Sequence, residues 1–94
     1  MKKTIIRKEH FKSYQAIRNK YPGAVVLLRI ASEYAAFQED AELIQLLTGN
    51  QITHLPGMGN TCGFAFGEID SILHKLVKAG NKVALCDPLE NPHC

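Results

Sequence analysis

The sequence contains no uninterrupted apolar run of the about 18 residues that a membrane-spanning helix needs. Its basic start, MKKTIIRKEHF, is not followed by the apolar core of a secretory signal peptide. It also lacks a GxxxxGKS or GxxxxGKT loop, the usual cradle for the phosphates of ATP. These absences predict a cytoplasmic protein that has no contact with a membrane and no ATPase activity.

Cysteine is scarce, with Cys62, Cys86 and Cys94 as its only occurrences. An odd number at these separations fits neither a disulfide framework nor the paired spacing of a zinc site, so we expect reduced thiols. The four histidines are likewise dispersed along the chain. We therefore predict no metal site, no cofactor and no catalytic residue, and we expect that the chain is not an enzyme.

With 94 residues, 46% hydrophobic and 21% charged, the chain is long enough for one globular domain, which we place at residues 1–94. We expect residues 1–9 to form a flexible basic start and residues 88–94 a polar tail. Basic residues are concentrated near the beginning, where only Glu9 opposes them. That segment either meets phosphates or is simply solvated. Seven of the 11 basic residues lie within residues 1–20, namely Lys2, Lys3, Arg7, Lys8, Lys12, Arg18 and Lys20.

Three segments show the spacing of amphipathic helices. The first covers residues 11–21. The second follows a possible N-cap at Ser32, carries its apolar stripe over residues 34–47, and ends at Gly49. The third covers residues 69–77. The second helix also has a polar face, which we expect in water, made of Glu33, Glu39, Asp40 and Glu42.

Short aliphatic segments alternate with these helices. We predict strands at residues 24–30, 51–55 and 82–86, and an exposed, mobile loop at residues 56–60, where proline and two glycines interrupt regular structure. Such alternation is typical of a sheet with helices packed on it. The predicted fold class is α/β, a mixed sheet of about four or more strands with three helices.

Two halves of the sequence together resemble one known domain. The later half contains CGFAF, then Glu68-Ile69-Asp70, then LHKLVKAGNKVALCD and Glu90-Asn91-Pro92. The earlier half contains AVVLLRI, then EYAAF with Asp40-Ala41 after it. The chain resembles the N-terminal mismatch-recognition domain of the MutS DNA mismatch repair family. The resemblance implies a strand at CGFAF that leads into the third helix.

The resemblance also locates a departure from the family. Its Phe-X-Glu motif, which reads mismatches, aligns with Glu33, Tyr34 and Ala35. The phenylalanine of that motif would stack on an unpaired base, and its glutamate would bond the base edge. Glu33 would instead repel phosphate, Ala35 offers no acceptor, and Tyr34 occupies the variable position. The resemblance therefore implies a stand-alone, divergent domain that binds DNA without genuine mismatch readout.

Arg29 lies four residues before Glu33 and is the next-to-last residue of an aliphatic strand. A charge there must be paired or must reach the edge of the sheet. It could support the following turn, point towards a phosphate, or pair with a nearby acidic residue. The predicted nucleic-acid-binding residues are Arg29, Glu33, Tyr34, Lys2, Lys3 and Lys8.

Two functions remain open at this point. The first is a MutS-like, DNA-associated domain, with double-stranded DNA as its partner. The second is a protein-interaction or structural module that binds other chains of a DNA-processing system. In the family, the domain continues beyond the position of Cys94 into a further strand. Without that strand, the neighbouring strand would expose an unpaired edge, which favours a homodimer.

Overall fold

The computed structural model describes residues 6–87 of the chain. The basic residues Lys2 and Lys3 and the tail at 88–94 lie outside the described residues. A 3₁₀ turn, Phe66–Glu68, separates the fourth strand from the third helix. The elements follow in the order α1 Lys8–Lys20, β1 Ala24–Ile30, β2 Glu33–Phe37, α2 Gln38–Thr48, β3 Thr53–Leu55, β4 Gly59–Ala65, α3 Ile69–Lys78 and β5 Lys82–Cys86.

The five strands form one mixed sheet in the order β3-β4-β2-β1-β5. β5 runs parallel to β1, and the other neighbours are antiparallel. The parallel pair joins the first and last strands of residues 6–87, so it needs the long crossover that the intervening elements supply. The predicted α/β class, with a mixed sheet and three helices, is confirmed.

Apolar side chains pack on both faces of the sheet. On one face α2 and α3 pack through Ile44, Ile72 and Leu76, and we call this the α2/α3 face. On the other, the α1 face, Tyr14 and Ile17 of α1 pack on the sheet. Burial on both sides explains why the sequence of β1 shows almost no polar alternation.

A buried carboxylate joins α1, β1 and α2. Asp40, only 4% exposed, accepts hydrogen bonds from the Val26 amide at 3.0 Å, from the Tyr14 hydroxyl at 3.0 Å, and from Arg18. The Tyr14 hydroxyl also lies 3.0 Å from the carbonyl oxygen of Phe37. We call these groups the Asp40 cluster. The prediction that Asp40 lies in water is wrong, because β2 ends beside β1 and the side chain completes the hydrogen bonding there.

The prediction that residues 33–37 begin the second helix is also wrong. They form β2, and α2 begins only at Gln38. Tyr34 and Ala36 are buried on one face of the strand and Ala35 and Phe37 on the other. Apolar burial on both faces removes the alternation that distinguishes a strand, so the same residues also fit a helical stripe.

The segment predicted as an exposed loop, residues 56–60, is only partly a loop. Met58 is buried, and Gly59 already begins β4. The resemblance to the MutS domain had implied a strand at CGFAF, and that part is confirmed. Glycine and asparagine in GNTCGFA lower its β-propensity, and pairing with both β2 and β3 outweighs this.

Two helix boundaries can be compared with those predicted from the sequence. α1 begins at Lys8, inside the predicted flexible start. Gly49 ends α2 at a φ of 78°, as predicted.

Cys62 is a free, buried thiol, but Cys86 is disulfide-bonded, so the expectation of reduced thiols is wrong for Cys86. Across residues 6–87, each helix is too short or too polar to span a membrane.

Candidate functional site

The hairpin between β1 and β2 carries Glu33, Tyr34 and Ala35, the positions predicted to align with the mismatch-reading motif of the family. Ile30 pairs with Glu33, which leaves a two-residue connection, Ala31 and Ser32. Ala31 has a φ of 55°, in the left-handed region that a non-glycine residue rarely adopts. A tight two-residue hairpin requires such a backbone angle near its tip. The hairpin therefore presents Glu33 at a fixed place on the sheet.

Arg29 holds this hairpin from the side. Its Nε donates a hydrogen bond to the carbonyl oxygen of Ala31 at 2.7 Å, and its guanidinium lies 3.9 Å from the centroid of the Phe66 ring. Its Nη1 is 4.0 Å from Asp87 Oδ2. Of the three roles predicted for Arg29, the structure shows support of the turn and a long ion pair with an acidic residue.

Tyr34 lies in a column of aromatic rings on the α2/α3 face. Its ring centroid is 5.8 Å from that of Phe64 and 5.9 Å from that of Phe66. Only 7% of Tyr34 is exposed. Since neighbouring residues of a strand point to opposite faces, Tyr34 points away from the face that carries Glu33 and Ala35. It cannot replace a stacking ring there.

The α1 face of β2, β4 and β3 is partly open, because α1 packs mainly on β1. An open groove of about 800 Å³ lies over these three strands. Glu33, Thr61, Gly63, Thr53 and Glu68 contribute to its lining. Ala35, two residues from Glu33, is on the same side of β2 but is buried. We call this cavity the acidic groove.

Two carboxylates give the acidic groove its charge. Glu68 Oε2 accepts a hydrogen bond from the backbone amide of Ala65 at 3.1 Å. Glu33 pairs in register with the same Ala65, so both carboxylates lie near the end of β4. Neither forms an ion pair within residues 6–87, and no lysine or arginine of that range lines the groove.

The predicted nucleic-acid-binding residues therefore do not form one surface. Arg29 and Tyr34 lie together on the α2/α3 face, Glu33 lies in the acidic groove, and Lys8 is exposed at the start of α1. Sequence reasoning missed that Glu68 joins Glu33 in one groove. Nothing in the sequence could show this, because it depends on the pairing of β2 with β4.

The start of α1 is held by a histidine. The amide of Arg7 donates a hydrogen bond to Nδ1 of His10 at 2.9 Å, which occupies one backbone group left over at the helix end. Partial burial lowers the pKa of His10, although the neighbouring Glu9 opposes this shift. The neutral form of His10 accepts this bond, so the lowered pKa favours the form that holds the first turn of α1.

Comparison with known proteins identifies the family. The family model described as MutS domain I matches residues 8–94. The chain belongs to the MutS domain I family. A relative from Cytophaga hutchinsonii, named DNA mismatch repair protein MutS, is 40% identical over 86 residues, which cover 86% of this chain and 10% of the relative. Proteins of the same name from Porphyromonas gingivalis and Pseudothermotoga lettingae are 33% and 37% identical.

These matches cover nearly all of this chain and only a small part of each relative. The Porphyromonas match covers 98% of this chain and 11% of the relative, and the Pseudothermotoga match covers 84% and 10%. This MutS domain I thus spans about a tenth of the length of the curated relatives that it matches. The predicted resemblance to the MutS N-terminal domain is confirmed.

Proposed function

We propose that this MutS domain I is a non-catalytic, DNA-associated domain that contacts the duplex backbone and does not read mismatches. The observation that carries the proposal is the side chain at position 33. A carboxylate stands on the sheet face where a mismatch reader needs an aromatic ring. Base–aromatic stacking contributes about 1–3 kcal/mol per base, and Glu33 offers no stacking.

The buried state of Ala35 supports the same proposal. Only 2% of this residue is exposed, so an acceptor placed there would be a buried carboxylate rather than a group that meets a base. Tyr34 is directed to the opposite face. None of the three motif positions therefore offers a stacking ring on the groove side.

Backbone contact is assigned to the basic residues of α1. Lys8 and Lys12 are exposed and, four residues apart, lie on the same side of the helix. Lys2 and Lys3 precede them in the sequence and lie outside the described residues. Phosphate contacts of this kind position a protein without selecting a sequence. Arg29 contributes by holding the hairpin.

The proposal is tested by fluorescence anisotropy with a labelled duplex, matched or with one mismatch, at low and at physiological salt. We expect equal affinity for both duplexes and weaker binding as salt rises. The double variant Lys8→Gln/Lys12→Gln should weaken binding at low salt by about threefold or more and reduce the salt slope by up to about two.

A matched control removes the same charge elsewhere. Lys75 and Lys78 are exposed on α3, and the double variant Lys75→Gln/Lys78→Gln should bind DNA nearly as the parent does. Equal losses in the two double variants would mean that only net charge matters. Failure of the parent to bind at low salt would contradict the proposal outright.

A second function, association with protein chains, is favoured by the edge of the sheet at β5. Within residues 6–87, β5 pairs with β1 alone. Leu85 of this strand is 48% exposed. An aliphatic edge strand with an exposed leucine is a template for pairing with another strand. We propose that the domain self-associates through β5, or pairs there with another chain of a DNA-processing system.

A further inference from the structure

The acidic groove is a part of the sheet that no helix of residues 6–87 covers. Thr61 and Gly63 of β4 face it together with Thr53 of β3. Gly63 is exposed and has no side chain, so the floor of the groove is backbone at this point. A Cβ atom there would lie 3.8 Å from Glu33 Oε1 and from the Tyr34 carbonyl oxygen. The Glu33 carboxylate therefore reaches over Gly63, so a cation that lies on β4 would meet it.

The charge of the groove differs from that of the whole chain. The chain carries a formal net charge of +2, while Glu33 and Glu68 give the described lining two negative charges and no positive one. Glu33 is half-buried and makes no hydrogen bond or ion pair within residues 6–87. A partly desolvated carboxylate without a partner favours a cationic group. It opposes a phosphate, so this groove is unsuited to the DNA backbone.

We propose that the acidic groove docks an extended, lysine- and arginine-rich segment of a partner protein. Crossing from β2 over β4 to β3 covers about 10 Å, which about three residues of extended chain span. A lysine or arginine at one end of such a segment would meet Glu33 and Glu68. The hydroxyl of Thr53 and the amide of Gln51, both exposed, are available to its backbone. The inference goes beyond the proposed DNA contact, which uses α1.

The test measures binding of a fluorescein-labelled peptide, Gly-Lys-Arg-Lys-Arg-Gly, to the full chain by polarisation at physiological salt. The uncharged peptide Gly-Gln-Gln-Gln-Gln-Gly serves as the ligand control. We expect binding of the basic peptide only, and a loss of fivefold or more in the double variant Glu33→Gln/Glu68→Gln. Amide shifts in NMR spectra should fall on Thr53, Thr61 and Gly63.

The control variant is Glu42→Gln/Asp70→Asn, which removes two exposed carboxylates from α2 and α3 and should bind the peptide as the parent does. Equal weakening in both variants, absence of binding by the parent, or amide shifts outside the groove would overturn the inference. So would displacement of the peptide by spermidine at the same concentration of charge, which would indicate a general cation site. DNA binding by Glu33→Gln/Glu68→Gln is measured in parallel and should be unchanged or tighter. Loss of peptide binding with DNA binding retained is then distinct from failure of the proposed function.

Discussion

At the scale of single residues, the proposed function depends on Glu33, the position predicted to align with the stacking phenylalanine of the family motif. The side chain points into the acidic groove, and its backbone is fixed by register with Ile30 and Ala65. The substitution Glu33→Phe keeps this backbone and adds a stacking surface. We expect the ratio of mismatched to matched duplex affinity to rise from about one to about five or more.

Glu33→Ala is the matched control for this substitution. It removes the carboxylate and adds no ring, so both duplexes should gain affinity equally and their ratio should remain near one. Anisotropy titrations of the two variants decide the point. If Glu33→Phe and Glu33→Ala discriminate equally poorly, position 33 does not face the base, and the assignment of the groove side as the family's reading face is wrong for this chain.

Asp40 and Glu39 provide a second comparison, because both carboxylates bind Arg18. Asp40 is buried, whereas the side chain of Glu39 is 82% exposed and lies 3.2 Å from Arg18 Nη2. We expect Asp40→Asn to lower the free energy of unfolding by about 3 kcal/mol, since it breaks a buried pair. Glu39→Gln should cost less than about 1 kcal/mol. Urea unfolding measures both, and similar losses would show that the Asp40 cluster does not act as a buried unit.

The Asp40 cluster also makes stability depend on pH. Burial, followed by the charge of Asp40, raises the pKa of Tyr14 above its ordinary value of 10.0. The folded state thus keeps the Tyr14 proton longer than the unfolded chain, so this contribution to stability is complete below pH 10 and declines as pH rises above it. The slope from one such proton is at most about 1.4 kcal/mol per pH unit.

Urea unfolding between pH 8 and pH 11 tests this dependence against Tyr14→Phe. The variant should be less stable at pH 8, by about 1 kcal/mol, because it loses the buried hydrogen bonds of the hydroxyl. Above pH 10 its stability should fall less steeply than that of the parent. Parallel curves for the two proteins would rule out Tyr14 as the source of the extra slope.

At the scale of elements, the β1–β2 hairpin stores backbone strain at Ala31. A φ of 55° costs a non-glycine residue about 1 kcal/mol, and glycine adopts it freely. We expect Ala31→Gly to raise the free energy of unfolding by about 0.5 kcal/mol, after the greater entropy of the unfolded chain is deducted. Ala79→Gly, at an ordinary φ of −81°, should lower it. Thermal unfolding distinguishes the two signs.

How much of each element the sequence predicts depends on its pattern. α1 and α3 have one-sided apolar stripes, and β1 and β5 are aliphatic, so their existence follows from the sequence. β2 is buried on both faces and β4 is interrupted by glycine. For both strands, the spacing of apolar residues alone therefore gives a wrong prediction. The acidic groove could not be predicted, since it arises from the pairing of β2 with β4 and from where α1 leaves the sheet uncovered.

At the scale of the whole molecule, the two edges that the sheet has within residues 6–87 are unequal. β3 has three residues, including an exposed threonine and histidine, and such short polar edges resist pairing. β5 has five residues with an exposed leucine. Sedimentation velocity of the parent should show self-association that grows with concentration. Leu85→Lys should abolish it by placing a charge on the edge strand.

Leu46→Lys is the control for this prediction, because Leu46 is 80% exposed on α2, away from the edge. That variant should self-associate as the parent does. A parent that sediments as a monomer at every concentration would disprove self-association through β5. Loss of association in both variants would instead indicate contact through general surface hydrophobicity.

The position of the Asp40 cluster has a consequence for the order of folding. Its groups, from Tyr14 to Asp40, come from the first half of the chain, so they can meet early, at a low cost in loop closure. β5, which covers the remaining edge of β1, is the last strand within residues 6–87. During synthesis, one side of β1 therefore remains unpaired after α1, β2 and α2 have formed. The interval before β5 arrives is the stage at which this chain is most exposed to aggregation.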